Sequence, residues 1–234
     1  MRQRLLRIVA ALVWVAVLAL PVACTHVVAG SPSYATQTQS ANLPLVKNTG
    51  LLSLMLKPDE IGAVMKAPPL EVSAIYTTVS SVRGVSDQKC GGAISAGAEP
   101  MYRGSGYRAI VGLGMHGPQD RVVDEAAATF GDADEAHKFV ATGIAQWADC
   151  VNRTLTITLP GRPVVNWIAS GPSTSYGVHV LLRRQEGGQG YVCSHAMAAR
   201  SNVAADVLAC SYDEALINEQ AASIVNMMLA KIHE

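Results

Sequence analysis

The sequence has few aromatic residues, 5% of the chain, and few charged ones, 15%. So few rings argue against a carbohydrate platform built from stacked aromatics. The 18 basic and 18 acidic residues cancel, so the basic footprint of a nucleic-acid-binding protein is missing and no nucleic-acid partner is expected. The histidines His26, His116, His137, His179, His195 and His233 form no H-E-x-x-H run and no other helical metal pair. The cysteines are too widely spaced for the close Cys or His pairs of a zinc site, so no metal or other cofactor is expected. The uncharged apolar stretch at residues 8–20 is too short to cross a bilayer comfortably, which takes about 20 residues.

That short stretch fits an export signal instead. Arg2, Arg4 and Arg7 form a positive start, and residues 8–20 have the length of a signal-peptide apolar region. Small residues then lead to a cysteine in Pro21-Val22-Ala23-Cys24. The segment resembles a bacterial lipobox, in which the cysteine becomes the first mature residue and carries acyl chains. Leu20 and Ala23 suit that pattern, and Pro21 departs from it. The expectation is a signal peptide over residues 1–23 and a lipid on Cys24. The chain would then be held on the outer face of the cytoplasmic membrane. An uncleaved apolar anchor, or a secretory signal with an incidental cysteine, remains open. Residues 24–50 are rich in Ser, Thr and Gln with no apolar period, and read as a flexible tether. The folded domain is expected over residues 51–234. Half of all residues are apolar, enough to bury a sizeable core.

Setting Cys24 aside leaves Cys90, Cys150, Cys193 and Cys210. An even set in an exported domain reads as disulfides. Residues 192–210 read as a hairpin turning at Ser201-Asn202, where Asn tolerates the backbone of a two-residue turn. Arg200 then faces Val203, and counting outward places Cys193 opposite Cys210. The alternation of rungs makes this a non-hydrogen-bonded pair, where side chains are closest. Cys90 and Cys150 are left for each other.

Pro58 with Asp59 and Glu60 suits the first turn of a short helix ending before Pro68-Pro69. Strands are expected over residues 72–79, 107–115 and 121–130, the last less clearly because Ala126, Ala127 and Ala128 also suit a helix. Asp132 and Glu135 have capping-box spacing. Ala136, Val140, Ile144 and Trp147 then recur at helical spacing, giving a helix over 132–149. Further strands are expected over 154–159, 164–169, 178–184, 191–200 and 203–210, and a last helix over 214–232. Hairpin-length connections dominate the second half. The fold class is therefore α+β, with a mostly antiparallel sheet and flanking helices.

Two motifs invite chemistry. Gly112-Leu113-Gly114-Met115-His116-Gly117 matches G-x-G-x-x-G, but Pro118 and another strand follow where a helix is required. Glycines in or beside a strand are the better reading. Ala93-Ile94-Ser95-Ala96-Gly97 is one residue from G-x-S-x-G, but Cys90-Gly91-Gly92 stands where a strand should precede it. A Ser-His-acid site assembled from distant residues stays open as a minor alternative.

Several segments carry a resemblance to a known family. They are Leu56-Lys57-Pro58-Asp59-Glu60-Ile61, then Pro100-Met101-Tyr102-Arg103-Gly104-Ser105-Gly106-Tyr107, then Trp147-Ala148-Asp149-Cys150. The most specific is Gly190-Tyr191-Val192-Cys193-Ser194-His195-Ala196-Met197, continuing through Asn202-Val203, Asp206-Val207 and Ala209-Cys210. From Leu51 onward the chain resembles the extracellular sensor domain of mycobacterial PknH-type serine/threonine kinases, a domain that also occurs in free-standing lipoproteins. The resemblance implies an α+β fold with a central antiparallel sheet and a cleft for an unidentified ligand. It also implies the pairs Cys90–Cys150 and Cys193–Cys210. The chain has no kinase domain and no apolar span beyond the leader, so it is not expected to signal as the kinases do.

The leading expectation is a non-catalytic, lipid-anchored module that binds a small molecule or envelope component. The alternatives are a protein-interaction subunit acting on an envelope partner such as a sensor kinase, and, last, an envelope hydrolase. Period two puts Tyr191, Cys193, His195 and Met197 on one strand face, and His179, Leu181 and Arg183 on one face of the strand before. If that face floors a cleft, His179, Arg183, Tyr191 and His195 are the candidate ligand contacts. Arg183 would hold an anionic group. The competing reading packs these residues under a helix or leaves them in solvent.

Overall fold

The computed structural model describes residues 43–233, so the leader and Cys24 lie outside the described residues. Nine strands form one sheet: β1 (Glu71–Tyr76), β2 (Ala109–Gly117), β3 (Arg121–Thr129), β4 (Thr154–Ile157), β5 (Val165–Ala169), β6 (Ser173–Ser175), β7 (Val178–Gln185), β8 (Val192–Arg200) and β9 (Val203–Ser211). The order is β1-β2-β3-β9-β8-β7-β5-β4, with β6 also paired to β7. All of these pairs are antiparallel. Helices α1 (Pro58–Val64), α2 (Glu99–Tyr102), α3 (Ala133–Ala148) and α4 (Ile217–Ala230) complete the domain.

Alternation along the central strands creates two cores. Met197, Cys193, Leu181, Ala126 and Leu208 face α3 and pack with Phe139, Val140 and Trp147. Ala196, Val207, Val123 and Val180 face the other way and pack with Ile217, Ile224 and Met228 of α4 and with Ile61 of α1. The Ala126-Ala127-Ala128 run is strand because β3 lies between β2 and β9, with both edges paired. Asp132 caps α3 by accepting from the Glu135 amide at 2.9 Å. The Glu135 carboxylate turns back to the Gly131 amide instead of closing the expected box.

The β8–β9 hairpin has the counted register, with Arg200 opposite Val203 and Cys193 opposite Cys210. A disulfide joins Cys193 to Cys210 across a Cα separation of 4.0 Å, and another joins Cys90 to Cys150. The short separation is that of a non-hydrogen-bonded rung.

The sequence reading needs correction at four places. The domain starts before Leu51: Asn202 accepts from the Val46 amide at 2.7 Å and donates to the Val46 carbonyl at 3.1 Å. Ser201 donates to the Pro44 carbonyl, and Thr129 to Asn48. The end of the supposed tether is thus docked by side chains remote in sequence, which composition does not reveal. Cys90-Gly91-Gly92, whose paired glycines suggest a turn region, lies in a 3₁₀ helix, Gln88–Ala93. Helix α2 and strand β6 are too short to leave a periodic signature.

Candidate functional site

A polar cluster is buried between the sheet and α3. Asp206 on β9 accepts from the Gly97 amide at 2.9 Å and the Tyr102 hydroxyl at 3.0 Å. Its other oxygen lies 2.5 Å from Nε2 of His195. The imidazole packs on Trp147, ring centres 4.6 Å apart. Nearby, Tyr76 donates to Asp124 on β3 at 2.8 Å. Burial raises the Asp124 carboxyl to about 7 and pushes the Tyr76 and Tyr102 hydroxyls up. The Tyr76 ring reaches Asp124 by crossing β2 at Gly112. A side chain there would place its Cβ 1.9 Å from the ring. The G-x-G-x-x-G run therefore serves packing within the sheet and opens no helix.

This cluster does not have the geometry of a serine hydrolase. His195 is fully buried, and its Nδ1, where a nucleophile would sit, has no hydrogen-bond partner. Ser95 donates instead to the carbonyl of Ala96.

The four expected ligand contacts are dispersed rather than gathered in one open pocket. His195 lies under Trp147, and Arg183 is 2% exposed beneath the Trp167 ring, 5.1 Å from its centre. Both side chains are on the face that α3 covers. His179 is exposed near the other end of β7, opposite Met197. Tyr191 alone lines an open groove. Burial depresses the Arg183 guanidinium to about 9 and raises the Tyr191 hydroxyl to about 12.

The groove is about 540 Å³ and lies between two hairpin turns. His116, Asp120 and Arg121 form the β2–β3 wall, and Gln185, Gln189 and Tyr191 the β7–β8 wall. Tyr212, just past β9, closes one end. Tyr191 donates to the backbone carbonyl of Asp120 at 2.7 Å and Tyr212 to the Asp120 carboxylate at 3.2 Å. Gln119, Asp120 and Gln189 all have positive φ, so both turns have tightly specified backbones.

The profile of the PknH-like extracellular domain matches residues 46–231. The chain belongs to that family. It is 32% identical over 188 residues to the serine/threonine-protein kinases PknH of Mycobacterium bovis and Mycobacterium tuberculosis. The match covers 79% of this chain, 31% of the first kinase and 29% of the second. The chain therefore spans about three-tenths of the length of those relatives. The crystal structure of the extracellular domain of PknH from Mycobacterium tuberculosis superposes with a TM-score of 0.73 at 32% identity, covering 81% of this chain and 97% of that one. Membership of an extracellular PknH-like family supports a sensor-like module rather than a catalytic domain. Among the described residues, no helix is long and apolar enough to cross a membrane, and no cluster of metal-ligating side chains occurs.

In this PknH-like domain, sequence reasoning missed Arg121, Asp120 and Tyr212. They approach Tyr191 only through the sheet order, which no local pattern encodes. Asp206 could have been found. The same count that pairs Cys193 with Cys210 sets Asp206 opposite Met197, diagonal to His195 on one face.

Proposed function

We propose that this chain is a non-catalytic, ligand-binding sensor-like module. On this reading a lipid on Cys24 carries it on the outer face of the cytoplasmic membrane, with the polar segment between Cys24 and the docked Pro44 as its tether. The observation that carries the ligand-binding part is the groove at Tyr191. It is concave, has fixed turn walls and combines two tyrosine rings with a few polar groups, as small-molecule sites do. The lipid anchor rests on the Arg-rich start, the short apolar run and Cys24. Its ligand is a small molecule or an envelope component.

Native mass spectrometry of the protein purified from its own host tests the ligand-binding reading. A reproducible small-molecule adduct, lost when Tyr191 and Tyr212 are both replaced by alanine in folded protein, is expected. An adduct that persists undiminished in that variant removes the groove from the reading.

One observation favours the protein-interaction alternative. Edge strand β1 exposes Val72 by 45% and Ile75 by 66%, and a free strand edge can pair with a partner strand. A PknH-type kinase sharing the same membrane is a partner this reading would test first.

A further inference from the structure

Arg183 is a buried cation without an anion. The residue is 2% exposed, and its buried Nε has no hydrogen-bond partner. No carboxylate pairs with it among the described residues. Its guanidinium faces the Trp167 ring, and Tyr191 is the titratable group whose charge reaches it. Burying an unpaired charge is costly, and a ring face returns only part of that cost. Violations of this kind are expected at sites where a ligand supplies the missing partner.

The surroundings connect Arg183 to the groove. Trp167 and Tyr191 have ring centres 6.0 Å apart, and Tyr191 and Tyr212 5.0 Å apart. Both tyrosines line the groove, as does Gln185, two residues along the same strand face from Arg183. Arg183 thus occupies the inner end of a row of rings whose outer end borders solvent. Arg121 adds a second guanidinium to the wall: its Nη1 donates to the Pro118 carbonyl and to the Gln119 side chain, and its buried Nε has no partner. The one carboxylate in the lining, Asp120, already accepts from Tyr212.

Building on the ligand-binding reading above, we infer that the groove takes a ligand with an anionic head, a carboxylate or a phosphate, on a planar body. The head pairs with Arg183 once the Tyr191 hydroxyl leaves the Asp120 carbonyl, and the body stacks on the tyrosine rings. Arg121 holds the outer side of the head. A planar guanidinium suits either anion through two parallel hydrogen bonds.

The test titrates the whole protein with benzoate, phenyl phosphate and benzyl alcohol, following tryptophan fluorescence, to which Trp167 contributes. At least one anion should bind at least about tenfold more tightly than the neutral alcohol, the energy scale of one charge-assisted pair. The preferred anion identifies the head. Arg183→Met should erase the preference, keep the alcohol affinity and melt no lower than the parent, because it removes an unpaired charge. Tyr191→Phe keeps the ring and frees the latch, so it should bind the preferred anion several-fold more tightly. It decides the matter if Arg183→Met does not fold. Equal affinity for all three probes overturns the inference while leaving the groove as a binding site. Binding of none overturns both the inference and the groove. An anion preference that survives in folded Arg183→Met, or a Tyr191→Phe variant that binds the anion no better than the parent, also overturns it.

Discussion

Replacing Glu125 with glutamine should remove a large part of the domain's pH dependence of stability. Glu125 is fully buried on the α4 side of β3. One oxygen accepts from the Leu56 amide at 2.8 Å, and the other has no partner. Burial raises its carboxyl from 4.5 to about 8, opposed by the Leu56 hydrogen bond and the charge of Lys231. Between those two values the folded chain holds a proton that the unfolded chain has released. Stability therefore falls as pH rises from about 4.5 to about 8 and is flat on either side. At about 1.4 kcal/mol per unit, a rigid site would lose about 5 kcal/mol. Relaxation and water entry around a buried carboxylate reduce the expected loss to about 2–3 kcal/mol. For a domain of this size that is a fall in Tm of roughly 5–10 °C. Calorimetry from about pH 4.5 to about pH 9 measures it. Asp124, raised from 3.8 to about 7 by burial on the other face, acts in the same sense at lower pH. Glu125→Gln should thus keep a shallow slope below neutrality, and the double variant with Asp124→Asn should be flatter still. A parent Tm that stays level across this range, or a Glu125→Gln profile parallel to it, refutes the reasoning.

Other substitutions test other parts of the structure. Gly112→Ala pushes the Tyr76 ring away and leaves Asp124 without its hydroxyl donor. It should cost about 2–4 kcal/mol in urea unfolding, and a cost below about 0.5 kcal/mol would mean the ring does not cross there. Non-reducing peptide mapping should recover Cys90 linked to Cys150 and Cys193 linked to Cys210, and a crossed pair from folded protein defeats both the fold and the hairpin register. Opening the first bridge, which spans 60 residues, should cost about 4 kcal/mol in the chain-entropy model. Cys24→Ala should abolish acylation, read as loss of fatty-acid labelling from the protein. A parent chain that carries no acyl label and keeps its leader would make the anchor an uncleaved apolar segment.

The hairpin register was readable because two strands and a two-residue turn leave little freedom. Counting from Arg200 and Val203 fixes every rung to Cys193 and Cys210. The shared strand face of His195 and Arg183 was readable from period two alone. Its fate was not, because α3 arrives from residues 133–148 and covers it. The buried acids were hidden for a similar reason. In β3, Asp124 and Glu125 look like polar residues of an outer strand, yet the sheet order makes β3 internal with a core on each face. The groove depends on three segments that meet only after the sheet is ordered. Tyr191 was identified, whereas Arg121 and Tyr212 were not.

On the proposed function, ligand engages the groove between the β2–β3 and β7–β8 turns. The most direct measurement is amide NMR of the isotopically labelled Cys24→Ala chain titrated with a small-molecule extract of its host's envelope. The reading expects saturable shifts concentrated at residues 116–122, 185–191 and 211–214. Saturable shifts confined to β1 and its edge, with the groove unmoved, would contradict it.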